Sequence, residues 1–408
     1  MPEATYSNEL LTQQALENEE RLNNLSKNAS NTETVDRTIY VRITGNDNYG
    51  NGSLTKPFLT VLRALSDIKK YINDVNITID IGAGNYEFNN GAIEQALSDI
   101  QILGSGKIQF QGTPVLVKDN FTLDASTTPY IYGVTDPSGA WIANEYRDMF
   151  IKVGTAYHQI TSNTTNTLNS FAGKAAATEI YEMQTVFGLH DNDFNITLKH
   201  PNLNAQVKFS YVTIDASSHL LNIAVSNADT RITNSNITAL GTQIDRQSLF
   251  LAFTNVGIVV STNHGVEDGA PAQSTTYNGV SIRKSGAKSQ YGIYVSNDRT
   301  FKDVYVENFA YGAYLSWGNY FGNQDSTEFI IKDCTYGFNI RNNTQISYPV
   351  NILYVDNVDY LLASSETIGF GTKVYLPNYI QVTEASTFAP SVTIQETDVS
   401  INIYYIIT

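Results

Sequence analysis

One cysteine, Cys334, is all that the 408 residues contain. That excludes an intrachain disulfide and any cysteine-based zinc site. Basic residues are also scarce: 25 Lys and Arg stand against 40 Asp and Glu, a formal net charge of −15. A chain that tracks a phosphate backbone needs clustered cations, so nucleic acid is not an expected partner. No apolar run approaches the roughly 18 residues of a membrane-spanning helix, and no membrane span is expected. Met1 to Gln14 are polar and acidic, without a basic start and an apolar core, so a secretory signal is not expected. A phosphate-binding loop, a dinucleotide fingerprint and a Gly-x-Ser-x-Gly elbow are all missing, and no cofactor is expected.

What is present favours strands and turns. Only 16% of residues are charged, whereas 26 Tyr and 18 Phe are spread among short apolar runs separated by Asn, Thr and Ser. A repeat runs through the second half. The phrase from Val304 to Gly312 (VYVENFAYG) returns 25 residues later as Phe329 to Gly337 (FIIKDCTYG) and 24 residues further on as Leu353 to Tyr360 (LYVDNVDY). An earlier copy starts at Val280-Ser281-Ile282, and fainter ones reach back toward residue 205 through Val212, Ile223, Ile232, Ile237 and Phe253. A unit of that length with two or three short alternating strands is one solenoid coil, whose apolar face only the next coil can bury. The dense leucines of a leucine-rich repeat are absent, and a parallel β-helix is expected. Asn308, Asp333 and Asn357 recur at one place in the unit and predict a stacked turn whose amides bond coil to coil.

The N-terminal half opens differently. Leu11, Ala15, Leu22, Leu25 and Ala29 form a helical stripe over residues 8 to 29, interrupted by Asn18 and short for a lone helix. Thr38 to Phe88 then reads strand, glycine-rich turn, helix, strand: Ile39, Val41 and Ile43 alternate, Gly45 to Ser53 supplies turn chemistry, Thr60 or a neighbour can cap a helix carrying Val61, Leu62, Ala64, Leu65, Ile68 and Ile72, and Ile77, Ile79 and Ile81 resume alternation. The letters Tyr40, Val41, Gly45, Asn46, Asp47, Gly50, Gly52, Pro57, Phe58, Thr60, Leu62, Ala64, Leu65, Ile81, Gly84 and Tyr86 resemble the opening phrase of pectate-lyase-like β-helix proteins, many of them phage tailspikes and tail fibres. The resemblance covers about 50 residues. It implies an all-β, right-handed parallel β-helix with a short N-terminal helix and a capping helix. It also implies a homotrimer, a virion location reached without a signal peptide, a host-surface polysaccharide as partner, and other virion proteins held through the N-terminal segment.

The expected organisation is an N-terminal helical attachment segment (1–37), an opening cap with the first coils (38–128), a lateral insertion or side sheet (129–204), the main coils (205–373) and a C-terminal β cap or trimerisation segment (374–408). The insertion is placed where Pro137, Gly139 and the Asn-Thr run at 163–167 border strands such as Tyr130-Ile131-Tyr132 and Asp148 to Val153 without a coil period.

Two patches could carry chemistry. Trp317, Tyr320, Phe321, Asn323 and Asp325 make an aromatic and polar loop between two clear coils, with Glu328 close behind. Rings offer flat faces for sugar stacking while Asn and Asp bond hydroxyls. Glycan cleavage needs two carboxylates roughly 5 to 10 Å apart, for which Asp325 with Glu328, or Glu267 with Asp268 beside His264, are candidates. The latter region is similar to the Gly-His-Gly region of polygalacturonases but lacks the paired Asp upstream, and the Arg-x-Pro-x-x-Arg phrase of pectate lyases is absent. Asp191, Asp193 and Asn195 begin like a calcium loop, but Ile196 stands where the required Gly belongs, so no metal site is expected. Three functions remain open: a host-attachment fibre, a polysaccharide depolymerase on the same fold, and a structural decoration or baseplate element.

Overall fold

The computed structural model describes residues 13–19, 31–119, 124–125, 133–135, 140–170, 179–189, 195–197, 206–224, 229–244, 250–268, 274–295, 300–315, 318–320, 328–340, 344–346, 352–363, 373–375, 380–382, 401–402 and 406–407. It is mostly β, and its largest element is a 21-stranded sheet whose pairings are parallel. The register follows one apolar column. Ile39 pairs with Ile79, Ile79 with Phe110, Phe110 with Phe209, Phe209 with Ile232, Ile232 with Phe253, Phe253 with Tyr277 and Tyr277 with Phe301. Val304 then pairs with Phe329, and Phe329 with Leu353, at the 25- and 24-residue steps of the sequence repeat. The stepped pairing continues past Lys373: Ile380–Val382 pairs with Leu353, Tyr354 and Val355 after a longer step than the repeat predicts, and Ile406–Ile407 then pairs with Ile380–Val382 at the repeat spacing.

The strands stack because each buries one face. In Asn76–Ile81 and Lys107–Gln111 every second side chain is inside, the two-residue period of a pleated strand. Inside, aromatic rings stack between successive strands: Phe110 lies on Phe209 at 4.8 Å between centroids, Phe253 on Tyr277 at 5.4 Å and Tyr277 on Phe301 at 4.9 Å. The turns are stacked as well. Asn234, Asn255, Asp303, Asn308, Asp333 and Asn357 all have positive φ, a conformation that Asn and Asp tolerate better than other residues with a Cβ. The Asn255 amide donates to the Asn234 side chain at 3.1 Å, and the Asn357 amide to Asp333 at 2.5 Å. Asn308 reaches back to the carbonyls of Lys284 and Gly286. The amide bonding expected at these positions is present between successive turns of the parallel sheet.

The glycine-rich opening has a physical explanation. A Cβ on Gly45 or Gly50 would overlap the backbone of Phe58 or of Asn46 and Pro57, so the turn closes only with glycine there. Asp47 accepts from the amides of Leu59 and Thr60, at 2.8 and 3.0 Å, and from the Thr60 hydroxyl at 2.8 Å. Thr60 in turn accepts from the Arg63 amide as the N-cap of the helix Val61–Ser66. That helix is shorter than the apolar spacing predicts. Ile72 leaves it to join a small parallel sheet, pairing with Glu33 and Ile102. A second helix, Asn90–Ser98, was not expected; Asn89 caps it, and Ile93 and Leu97 are its buried residues, too few for a visible stripe. Residues 13–19 are helical and exposed.

Between Gln111 and Thr185 the chain leaves the parallel stack and forms an antiparallel seven-stranded sheet, in the order Pro114–Lys118, Glu179–Met183, Phe150–Val153, Ala156–Asn163, Thr167–Ser170, Gly133–Thr135, Asp124–Ala125. This side sheet starts earlier than residue 129, since Pro114–Lys118 pairs within it. Thr185–Gly188 and Asn195–Thr197 already belong to the parallel sheet. Tyr130, Ile131 and Tyr132 lie outside the described residues. The side sheet has its own core of Trp141, Tyr146, Ile151, Ile160, Leu168 and Ile180.

Its seat on the stack combines an aromatic contact, Tyr157 against Tyr211 with centroids 5.2 Å apart, and a buried polar one. Gln159, buried, donates to the Asn236 side chain at 3.1 Å and accepts from the Ser281 hydroxyl. Gly257 stands between Asn236 and Ser281 in register, leaving room for the Gln159 amide. Asp148 is ion-paired with Arg283, and Arg147 with Glu307.

Candidate functional site

In the parallel sheet, one outward row runs Asn85, Val186, Thr213, Asn236, and the row beside it includes Thr238, Val259 and Arg283. Neighbouring parallel strands lie about 4.8 Å apart, so these rows form a ladder of short amide, hydroxyl and apolar side chains along the stack. The side sheet overhangs them. Arg147, Asp148 and Met149 on one segment, with Glu182, Met183 and Gln184 on another, wall off a cavity of about 580 Å³ above the rows. The floor is regular because strand register is regular; the walls exist because Gln159 pins the side sheet to Asn236 on the floor itself and to Ser281 beyond it.

The groove is electrostatically tied. Arg283 and Asp148 pair across it, and the Asp148 carbonyl accepts from the Asn236 amide at 3.0 Å. The turn that presents Asp148 has a φ of 66°. Arg147 is held by Glu307, and burial, with Arg283 nearby, pushes its pKa below the ordinary arginine value. The Nε atoms of both arginines are buried and make no hydrogen bond among the described residues. Glu182 accepts from the Gln184 amide at 2.7 Å, and the Thr213 hydroxyl donates to the Met183 carbonyl at 2.9 Å. The arrangement offers hydroxyl-sized donors and acceptors, small apolar patches and two carboxylates lining one open trough, which suits a polyhydroxylated chain better than a compact cofactor.

Of the residues expected from sequence, Trp317, Phe321, Asn323 and Asp325 lie outside the described residues. Tyr320 ends the strand Gly318–Tyr320, where it pairs with Ile346, and Glu328 begins the strand Glu328–Lys332, opposite Ile352. Asp268 requires a correction as a catalytic candidate. It is fully buried inside the stack, its carboxylate accepting from the Tyr277 hydroxyl at 3.1 Å, where no external polymer reaches it. Glu267, its neighbour, is half-buried on the opposite face, as alternation demands. It faces His264, whose Nδ1 accepts from the Tyr291 amide at 3.3 Å and whose pKa is lowered by burial, raised by Glu267 and lowered by Lys284. His264 stacks on Tyr291, Tyr291 on Tyr311 and Tyr311 on Tyr336, with centroids 5.2, 4.9 and 4.8 Å apart. Their faces are spent on one another. The sequence stretch His190 to Asp193 lies outside the described residues, and no group of three or more His, Cys, Asp or Glu fit for a metal occurs among the described ones.

No family model matches the sequence. No curated protein matches it either. Among solved structures the chain is similar to a protein described as a glycoside hydrolase, 9% identical over 87% of this chain and 95% of that one, with a TM-score of 0.31. It is similar to XylC in complex with xylose at 11% identity over 86% and 70%, TM-score 0.23. It is also similar to the tailspike protein gp49 from Pseudomonas phage LKA1, at 13% identity over 78% and 74%, TM-score 0.21. At TM-scores this low, none of these likenesses bears on what this chain does.

The groove residues were missed in the sequence because they come from seven separate places between Gly84 and Arg283. No local phrase joins them. The one available signal was the break in the repeat over the side sheet, since an insertion beside a regular face necessarily creates a flank.

Proposed function

We propose that this chain is a right-handed parallel β-helix that serves as a virion host-attachment protein of tail-fibre or tailspike type, binding a surface polysaccharide in the groove beneath the side sheet. The observation that carries this reading is the trough itself: a floor of Asn85, Val186, Thr213 and Asn236 in one row, with Thr238 in the next, under a wall bearing Glu182 and Gln184. The same reading has the chain as a homotrimer attached to other virion proteins through residues 1–37, and has the loop of Trp317, Tyr320, Phe321, Asn323 and Asp325 as a second sugar contact. Multivalent display would convert weak single-site contacts into tight adhesion.

The test is binding of purified protein to a panel of bacterial surface polysaccharides, for the wild type, Thr238→Arg and the Trp317→Ala, Tyr320→Ala double variant. Thr238 is half-buried on the groove floor, and an arginine there fills the trough without touching the core. Binding lost in Thr238→Arg supports the groove; binding lost only in the aromatic double variant moves the site to that loop. If no glycan or host cell is bound at all, a structural decoration replaces the attachment reading.

A second reading, polysaccharide depolymerase, is favoured by one observation: Asp148 and Glu182 both line the groove. Paired carboxylates are the minimum machinery for glycoside hydrolysis. Release of reducing ends by the wild type, abolished in Glu182→Gln and in Asp148→Asn, would establish it. Binding without release leaves attachment as the function.

A further inference from the structure

The charges around the groove carry the reading further, to the class of sugar. Both cations that line it are already committed: Arg283 to Asp148 and Arg147 to Glu307, each through a terminal guanidinium nitrogen. Glu182 is different. Its partner is the neutral amide of Gln184, which satisfies an oxygen without cancelling the charge. Two arginines against Asp148, Glu307 and Glu182 leave this cluster with an excess of one negative charge, inside a chain whose formal net charge is −15. Recognition of carboxylate, sulfate or phosphate on a sugar needs cations free to make charge-assisted, often bidentate, bonds. Among the described residues lining this groove, both cations are already charge-paired and their remaining Nε atoms are buried, so none presents an uncompensated positive charge to a ligand.

The rest of the lining points the same way. Asn85, Thr238 and Gln184 add neutral hydrogen-bonding groups, while Thr213 and Asn236 are already bonded to Met183 and to Gln159 and Asp148, and Val186, Val259, Met149 and Met183 supply apolar surface. That mixture matches the hydroxyls and the C–H faces of an uncharged pyranose.

Resting on the groove as the binding site, we infer that it takes a neutral polysaccharide, with Glu182 accepting from sugar hydroxyls, and that it excludes polyanionic chains. Hydroxyl donation to a carboxylate is among the stronger hydrogen bonds. The arginine pairs act as braces that hold the wall over the floor, and their mutual neutralisation keeps the trough from concentrating anions.

The experiment measures affinity for neutral hexose oligosaccharides and for polyuronate oligosaccharides of equal length, using the full chain, Glu182→Gln and Thr238→Arg. The expected result is binding of a neutral oligosaccharide that changes less than about twofold as NaCl rises from about 0.05 to about 0.5 M. It should be weakened about tenfold by Glu182→Gln and abolished by Thr238→Arg. Polyuronate binding that Thr238→Arg abolishes would overturn the neutral-sugar assignment while leaving the groove as the site. So would neutral binding that Glu182→Gln leaves unchanged. Neutral-oligosaccharide binding that survives Thr238→Arg, or no binding at all by the wild type, would overturn the groove reading and this inference with it. Circular dichroism and the unfolding midpoint of each variant separate lost binding from lost folding.

Discussion

Gly257→Ala adds one methyl group at the point where the side sheet meets the parallel stack. Gly257 does not have a positive φ, so the backbone itself tolerates alanine. The new Cβ would overlap the Gln159 amide and sit 2.7 Å from Asn236 Oδ1. Gln159 must therefore withdraw, giving up its bonds to Asn236 and Ser281. Each bond contributes about 0.5–1.5 kcal/mol, and overpacking a close-fitted site costs about 1–3 kcal/mol. Asn236 is half-exposed, so water can replace part of what it loses. The expected destabilisation of side-sheet docking is about 2–3 kcal/mol. Trp141 lies in the side-sheet core and reports on it, with Trp317→Phe as the silent background. Urea unfolding followed by Trp141 fluorescence should show the loss, and the same methyl added to Gln159→Ala should cost distinctly less, because only the half-exposed Asn236 amide oxygen then remains close. Equal cost in both backgrounds would refute the docking geometry. Loss of the seat should also weaken glycan binding, since Arg147 to Met149 would no longer be held over the floor.

Other outcomes follow from single sites. Burial lowers the pKa of His264 and of His158, so the folded chain takes up a proton at these sites less readily than the unfolded chain, which protonates near the ordinary value of about 6.5. The unfolded state then binds more protons below that pH, and the stability these groups contribute is full above about 6.5 and is lost as pH falls through it. The melting temperature should drop between pH 7 and pH 5, with a shallower slope in His264→Gln; an unchanged slope would clear His264 of the effect. The Cys334 thiol is buried, and burial pushes its pKa up to about 12, so iodoacetamide should label nothing in the native protein and one site in urea, read by mass spectrometry. Asp47→Ala should cost about 1–2 kcal/mol by releasing the Leu59 and Thr60 amides and the Thr60 hydroxyl, measured by thermal unfolding. Full stability in that variant would mean the opening turn is held by its glycines alone.

Much of the architecture was legible because the rules that produce it are local. Two-residue alternation, a recurring Asn or Asp where φ is positive, and a repeat of 24 to 25 residues are written in neighbouring letters, and strands at 304, 329 and 353 pair in the predicted register. The glycines of the opening turn were equally readable, since Gly45 and Gly50 stand where a Cβ would strike backbone. Helix length was less so. Ile72 carries a helical spacing yet joins a small sheet, because pairing with Glu33 and Ile102 is a long-range contact that spacing cannot express.

Side-chain direction divided the candidate acids. Glu267 and Asp268 are adjacent in sequence and equal in composition, but the pleat sends one toward solvent and the other inside against Tyr277. The sequence by itself determined the period, the turn chemistry and the excess of acid. Only the tertiary structure decided where the side sheet comes to rest, that Gln159 seats over Gly257, and that Asn85, Asp148, Glu182, Asn236 and Arg283 share one trough. The reason is physical: a rung repeat is set by contacts between residues about one coil apart, whereas the groove arises from the packing of two independently cored units, which no single stretch of chain encodes.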